Sequence, residues 1–268
     1  MLEIYGSLKK VREQKPVVHH LTNWVTIYDC ANIVKVFGAS PVMAHAPEEV
    51  ADMAKIASAL VLNIGTLTTE FIDAMKIAAK SANKKGIPVV LDVCGAGATK
   101  LRDDKCFELL GQVKVDIIKG NSSEVARISG IEVQTKGVDA AEVTANLKEV
   151  AKKLAGARDC AVVITGKEDI VSNGKVSYIV KNGHPMMTNI VGTGCMAASV
   201  IGAFAAVEKD LVKAAVAGLV CYEISAEIAA KKSRGPGSFK EKLFDAAYHL
   251  DETTIGNMEK VEIYGKFS

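Results

Sequence analysis

The chain has 268 residues and a formal net charge of +2; apolar residues make up 49% and aromatics 5%. So apolar a chain can bury a sizeable core, filled mostly by alanine, valine and isoleucine, and its length suits one large α/β domain or two small ones. The near-neutral balance, with no basic stripe and no aromatic platform for bases, argues against nucleic acid or an anionic membrane as partner.

The N-terminal "LEIYGSLKKVREQKP" has no apolar core of a secretory signal, so the expectation is a cytoplasmic protein. Six cysteines (30, 94, 106, 160, 195, 221) lack CxxC or metal-type spacing and read as free thiols in a reducing compartment. In "VVHHLTNWVTIYDCANIVKVFGASPVMAHAPEEV" (17–50), Asn23, Asp29 and Asn32 interrupt an apolar pattern and need polar partners. His19 and His20 are adjacent, so on a strand they face opposite sides. Met43 falls in a "SPVM" turn, where it either packs in the core or lines a small aromatic pocket.

Strands are expected at 60–65, 87–93, 115–121 and 160–166, with helical patterns at 69–86, 106–112 and 140–156 between them. The strands lack strict alternation, as fits a parallel sheet covered on both faces. The "NG" in "DIVSNGKVSYIV" (169–180) predicts a hairpin. The last third reads as helical, at 194–207, 211–232 and 238–250. The apolar runs 195–207 and 214–222 are each too short to span a bilayer. With no linker, repeat or charge block, one domain over 1–268 is expected.

Ligands of open α/β sheets gather at the carboxyl ends of the strands. Four unusual loops fall there: "DVCGAGAT" (92–99), "KGNSSE" (119–124), "TGKED" (165–169) and "GTGC" (192–195). In "GTGC", Gly192 and Gly194 let backbone approach a ligand. The first N–H groups of the following helix, Thr193 and Gly194 included, form an anion hole for a phosphoryl group. Cys195 then sits in the first turn, where a thiol pKa falls. Asn121 and Glu124, three apart at a helix start, fit two roles. Glu124 is a candidate Mg²⁺ carboxylate with Asp92 as a second; the same spacing also makes a helix cap, and the residues alone favour the cap.

"HHLTNWVTIYDCAN", "GASPVMA", "GAGAT", "GNSSE", "VITG", "GHPMM", "VGTGC" and "GPGSF" occur in that order over about residues 10–250. Together they closely resemble the hydroxyethylthiazole kinases of thiamine salvage. The resemblance implies a ribokinase-like three-layer α/β/α sandwich with a largely parallel sheet. It implies Mg²⁺-dependent transfer of the ATP γ-phosphate to the primary alcohol of 4-methyl-5-(2-hydroxyethyl)thiazole. By position, Met43 and Gly192 match thiazole contacts, and Lys119 and Thr165 match ATP contacts, with Asn121 beside them. Lys119 stands where the family usually has arginine, keeping the charge but losing the planar fork. "DVCGAGAT" departs from the usual Asp-Pro-Val start while retaining Asp92 and the glycines. The resemblance further implies a homotrimer with interfacial active sites, which the segment carrying Asn23 helps to close. Fold relatives place aspartate where this chain has Cys195, so Cys195 is expected to position or deprotonate the acceptor hydroxyl.

Three other readings stay open. One is a related kinase for hydroxymethylpyrimidine or a pyridoxal-type alcohol, which the fold alone would not separate. Another is a cysteine-nucleophile hydrolase, which needs a base near Cys195, with His184 the candidate. The third is a trimer that binds nucleotide without turnover.

Overall fold

The computed structural model describes residues 3–130 and 146–266. The described strands form one nine-stranded sheet, ordered β2-β1-β3-β4-β5-β6-β7-β8-β9. β1 (Val17–Leu21), β2 (Ser40–Val42), β3 (Ala59–Asn63), β4 (Val89–Asp92), β5 (Ile117–Asn121) and β6 (Ala161–Thr165) are mutually parallel. The antiparallel strands β7 (Asp169–Ser172), β8 (Val176–Val180) and β9 (Val261–Lys266) complete the sheet. The predicted strands and hairpin are therefore present, trimmed by a residue or two.

Helices cover both faces. On one side pack α1 (Ile4–Gln14), α2 (Ile27–Val36), α8 (Thr193–Ala205), α9 (Leu211–Lys232), α10 (Pro236–His249) and α11 (Glu252–Met258), against Val18, Val61, Val90, Ile117 and Val163. On the other, α3 (Val50–Ile56), α4 (Thr69–Lys85), α5 (Lys100–Gln112), α6 (Ser122–Ile128) and α7 (Leu147–Arg158) pack on Leu60, Leu62, Leu91, Ile118 and Val162. Neighbouring strand residues thus serve opposite layers, which is why the strands read as unbroken apolar runs. From Cys195 onward α8 is buried throughout, so its apolar run is core. Among the described residues no helix is long and apolar enough to cross a membrane.

Several expectations need correction. "SPVM" is not a turn: Ser40–Val42 form the edge strand β2, paired with Val17–His19, and Met43 follows it. The last third is not wholly helical, because β9 closes the far edge of the sheet beside β8. The helix expected at 106–112 starts earlier, at Lys100, where the Thr99 side chain accepts the Arg102 N–H. Part of the helix expected at 140–156 lies outside the described residues; the rest is α7.

Candidate active site

Asn63, Asp92 and Lys119 are consecutive Cα partners at the carboxyl ends of β3, β4 and β5. They lie on the sheet face covered by α8, because each is two residues beyond a side chain of that layer (Val61, Val90 and Ile117). All three are buried and bonded in a line: Asn63 Nδ2 donates to Asp92 Oδ2 at 2.7 Å, and Lys119 Nζ lies 3.4 Å from Asp92 Oδ1. Burial pushes the Asp92 carboxyl up, against the pull of Lys119. Burial alone would lower the Lys119 ammonium, but Asp92 and Glu124 outweigh it and raise it.

The row continues into the loop after β1. Asn23 Nδ2 donates to Asn63 Oδ1 at 3.1 Å and to Cys195 Sγ at 3.2 Å. Asn23 Oδ1 accepts from the N–H and the hydroxyl of Thr26, at 3.1 and 3.0 Å. Both donors and both acceptor positions of this buried amide are therefore used within the protein. As placed, Asn23 orients Cys195 and the 22–26 loop.

Gly192 caps α8 with φ +91°, a left-handed value that suits glycine. A Cβ there would meet the Thr26 side chain, 2.9 Å from its Cβ. What approaches Gly192 closely is therefore the loop after β1. At Gly194, a Cβ would come within 3.1 Å of Lys119 Nζ, so this glycine lets the ammonium reach the first turn of α8. Met196 N–H to Gly192 O, 2.8 Å, is the first bond of the helix. The N–H groups of residues 193–195 precede it, as an anion site requires. The Thr193 hydroxyl donates to Met187 O at 3.0 Å, and its carbonyl accepts from Tyr222 OH at 3.2 Å. Both contacts shape the loop that leads into α8.

Cys195 is nearly buried, and its thiol is held below the ordinary range. The first cause is a hydrogen bond with the Cys94 thiol, which outweighs burial; Lys119, Thr26 and Asn63 add to it. Cys94 moves the opposite way, raised as partner in that bond and by its surroundings.

Asn121 and Glu124 form a complete capping box on α6. Asn121 Oδ1 accepts the Glu124 N–H at 2.9 Å, and Glu124 Oε2 accepts the Asn121 N–H at 2.7 Å. The cap favoured by the residues alone is thus formed. The other oxygen, Oε1, accepts the Gly95 N–H at 2.7 Å and ties the "GAGAT" loop to β5. Burial raises the Glu124 carboxyl, against Lys119 and these two N–H groups. Thr165, at the end of β6, is the Cα partner of Asn121 and half-buried, its hydroxyl 3.4 Å from Gly120 O. Met43 is half-buried against the cluster that contains Cys195. The exposed His184 caps the 3-10 turn Pro185–Asn189, its Nδ1 accepting the Met186 N–H at 3.1 Å. No hydrogen bond among the described residues joins it to Cys195, so the base a nucleophilic cysteine would need is not in place.

Two contributors went unnoticed in the sequence. Asn63 joins Asn23 to Asp92; its signal was a lone amide ending the apolar run "LVLN". Arg102 donates to the carbonyls of Ile64, Gly65 and Cys94 at 3.0, 2.7 and 3.1 Å, locking the loops after β3 and β4 together. Nothing local distinguishes it from an ordinary helix-surface arginine.

The profile of the hydroxyethylthiazole kinase family matches residues 8–253. A hydroxyethylthiazole kinase from Methanosarcina mazei is 56% identical over 257 residues, covering 96% of this chain and 98% of that one. The solved hydroxyethylthiazole kinase of Pyrococcus horikoshii OT3 superposes with TM-score 0.90 at 38% identity, over 99% of this chain and all of the other. A ribokinase-like superfamily protein from Enterococcus faecalis shares the fold at TM-score 0.61 and 14% identity, covering 90% and 93%. The sheet is thus ribokinase-like, and the chain belongs to the hydroxyethylthiazole kinase family.

Proposed function

We propose that this chain transfers the γ-phosphoryl group of ATP to the hydroxyethyl group of 4-methyl-5-(2-hydroxyethyl)thiazole, as a single kinase unit spanning 1–268. The observation that carries the reading is the convergence of the Asn63–Asp92–Lys119 row with the first turn of α8, where Lys119 Nζ comes up against Gly194. Phosphoryl transfer needs mainly alignment and charge stabilisation, and this arrangement supplies both. The N–H groups of Thr193, Gly194 and Cys195 hold the oxygens of the transferred group, with the Lys119 charge beside them. Cys195, its sulfur kept anionic by the donors around it, takes the proton of the acceptor hydroxyl. Thr165 and Asn121 flank the nucleotide, and Met43 and Gly192 border the thiazole. Asn23 keeps the Cys195 sulfur aimed at the hydroxyl.

Mg²⁺ fits this donor set. It retains several waters and needs only one or two carboxylates plus nucleotide phosphates. Each oxygen of Asp92 and Glu124 already has a protein partner, so the pair suits a hydrated ion better than a dry cage. When bound, it neutralises charge on the phosphates. A homotrimer is part of the same reading, supported by exposed Trp24, Val25 and Tyr28 beside Asn23 and by Val191 beside Gly192. We place the enzyme in the cytoplasm.

The deciding experiment couples ADP release to the thiazole alcohol, run beside hydroxymethylpyrimidine and pyridoxal. Turnover on the thiazole alone is expected. Turnover on another alcohol instead would retain the phosphate chemistry and overturn the substrate.

A further inference from the structure

Arg102 sits in the first turn of α5, outside the row of groups to which the transfer reading gives work. Its backbone is fixed there, because the Thr99 hydroxyl accepts the Arg102 N–H at 3.4 Å. The half-buried side chain then spans two loops. Nη1 donates to Ile64 O at 3.0 Å and to Cys94 O at 3.1 Å, and Nη2 donates to Gly65 O at 2.7 Å. Ile64 and Gly65 follow β3, and Cys94 follows β4. The second loop leaves room for the guanidinium: Gly95 has φ +80°, and a Cβ there would lie 2.7 Å from Arg102 Nη1.

Each loop leads to a different end of the reaction. Gly65 N–H donates to Asn63 Oδ1 at 2.9 Å, the oxygen that also accepts from Asn23 Nδ2. A Cβ on Gly65 would come within 3.1 Å of Asn23 Cβ, so this loop lies directly against the amide that holds the Cys195 sulfur. One residue further, the Thr66 hydroxyl accepts the Trp24 N–H at 3.1 Å. The loop after β4 leads the other way. Gly95 N–H donates to Glu124 Oε1 at 2.7 Å, and the other oxygen of Glu124 holds the Asn121 N–H. Gly97 N–H donates to Asp103 Oδ1 at 2.7 Å, so α5 grips this loop a second time. One guanidinium thus joins the segment behind Cys195 to the segment behind Glu124.

We infer that Arg102 is a positioning residue for phosphoryl transfer: by locking the loop after β3 to the loop after β4, it sets the line between acceptor hydroxyl and γ-phosphorus and so decides whether alcohol or water attacks. The inference rests on the reading that Cys195 faces the acceptor and Asn121 the nucleotide. In transfer, the alcohol oxygen bonds to the γ-phosphorus and the bond from that phosphorus to the β–γ bridging oxygen breaks. The alcohol proton passes to Cys195 and on to solvent, leaving the thiazole phosphate and ADP. With the hydroxyl out of line, a water oxygen makes the same bond and loses its proton to solvent, leaving inorganic phosphate and ADP. A misplacement of about 1 Å from a change outside the reacting groups costs such a reaction about 10²-fold. Lysine keeps the charge of Arg102 but not the planar fork that spans three carbonyls.

The test measures ADP, thiazole phosphate and inorganic phosphate released by the full-length wild type, Arg102→Lys and Arg102→Ala. Wild type should form one ADP per thiazole phosphate. Arg102→Ala should lose about 10²-fold in kcat with KM for ATP and for the thiazole little changed, and should release more ADP than thiazole phosphate, the excess matched by inorganic phosphate. Arg102→Lys should resemble it. Millimolar guanidinium should restore part of the kcat of Arg102→Ala and lower its excess ADP. The ratio of ADP to thiazole phosphate decides: a folded variant in which it stays at one overturns the proposal. Should Arg102→Ala fail to fold, Arg102→Lys carries the test; failure of both would make the guanidinium a fold requirement and also overturn it. Wild type that phosphorylates hydroxymethylpyrimidine or pyridoxal instead would sink the thiazole reading alone, and the same ratio on that alcohol would then judge Arg102. Wild type with no alcohol turnover would sink both.

Discussion

Asn23 and Cys195, one in the loop after the first strand and the other in the first turn of α8, meet through an N–H to sulfur hydrogen bond of 3.2 Å. The same amide nitrogen reaches Asn63, so the thiol is tied through one side chain to the Asp92–Lys119 pair. Asn23→Asp keeps the shape but replaces the donor with an oxygen facing the sulfur and Asn63 Oδ1. A negative charge there disfavours the thiolate. The variant should therefore lose turnover at neutral pH and regain part of it as pH rises, so its pH–rate profile shifts to the alkaline side of wild type. A profile that falls without moving would mean Asn23 has only a structural role.

Cys195→Ala removes the group proposed to accept the proton and leaves the N–H groups of the first turn in place. Its kcat should fall ~10²–10⁴-fold with KM for the thiazole little changed. Cys195→Asp, which restores the arrangement of the fold relatives, should recover much of the loss. Near-full turnover in Cys195→Ala would show that alignment and the backbone alone carry the reaction.

The parts of the site that were legible are those where residue type follows from backbone geometry. Gly192 had to be glycine at a left-handed helix cap, and Asn121 with Glu124 had the spacing of a capping box. The parallel strands showed as apolar runs because both faces are covered. What stayed hidden depends on contacts between distant segments. β9 is a single short strand that exists by pairing with β8, some eighty residues earlier, and four of its six residues, Glu262 to Gly265, are exposed. The bond between Asn23 and Cys195 and the bridging role of Asn63 need the tertiary fold, since no spacing rule links an amide or a thiol to a partner so far along the chain.

Lys119 and Asp92 form an ion pair with both groups almost wholly buried. Lys119→Met leaves the Asp92 carboxylate without its cation in a dry site, a change that costs about 3–5 kcal/mol in such pairs. It also removes the charge beside Gly194. Both Tm and turnover should drop. The double variant Lys119→Met with Asp92→Leu should regain much of the stability and none of the activity. If Lys119→Met keeps wild-type Tm, the pair is not what holds these strand ends together.

A second buried acidic pair sets a pH limit on the fold. Asp169, at the start of β7, accepts the Gly166 N–H at 2.9 Å and shares a buried environment with the Glu223 carboxyl, each shifting the other's proton affinity. Glu223 Oε2 has no partner among the described residues. Burial, then the Asp169 charge, push the Glu223 carboxyl well above its ordinary value, so the folded chain keeps a proton there. Because this folded pKa exceeds the unfolded one, the stabilisation is complete below the unfolded value near 4.5. It is lost as pH rises through the folded value, at up to about 1.4 kcal/mol per pH unit. Glu223→Gln keeps the shape and cannot ionise. Wild type should lose Tm towards alkaline pH more steeply than Glu223→Gln, with the two curves converging in acid. Parallel curves would show that another group sets the alkaline limit. A Glu223→Gln chain that unfolds at every pH would mean that the unpartnered oxygen, rather than the shared proton, is what the fold requires.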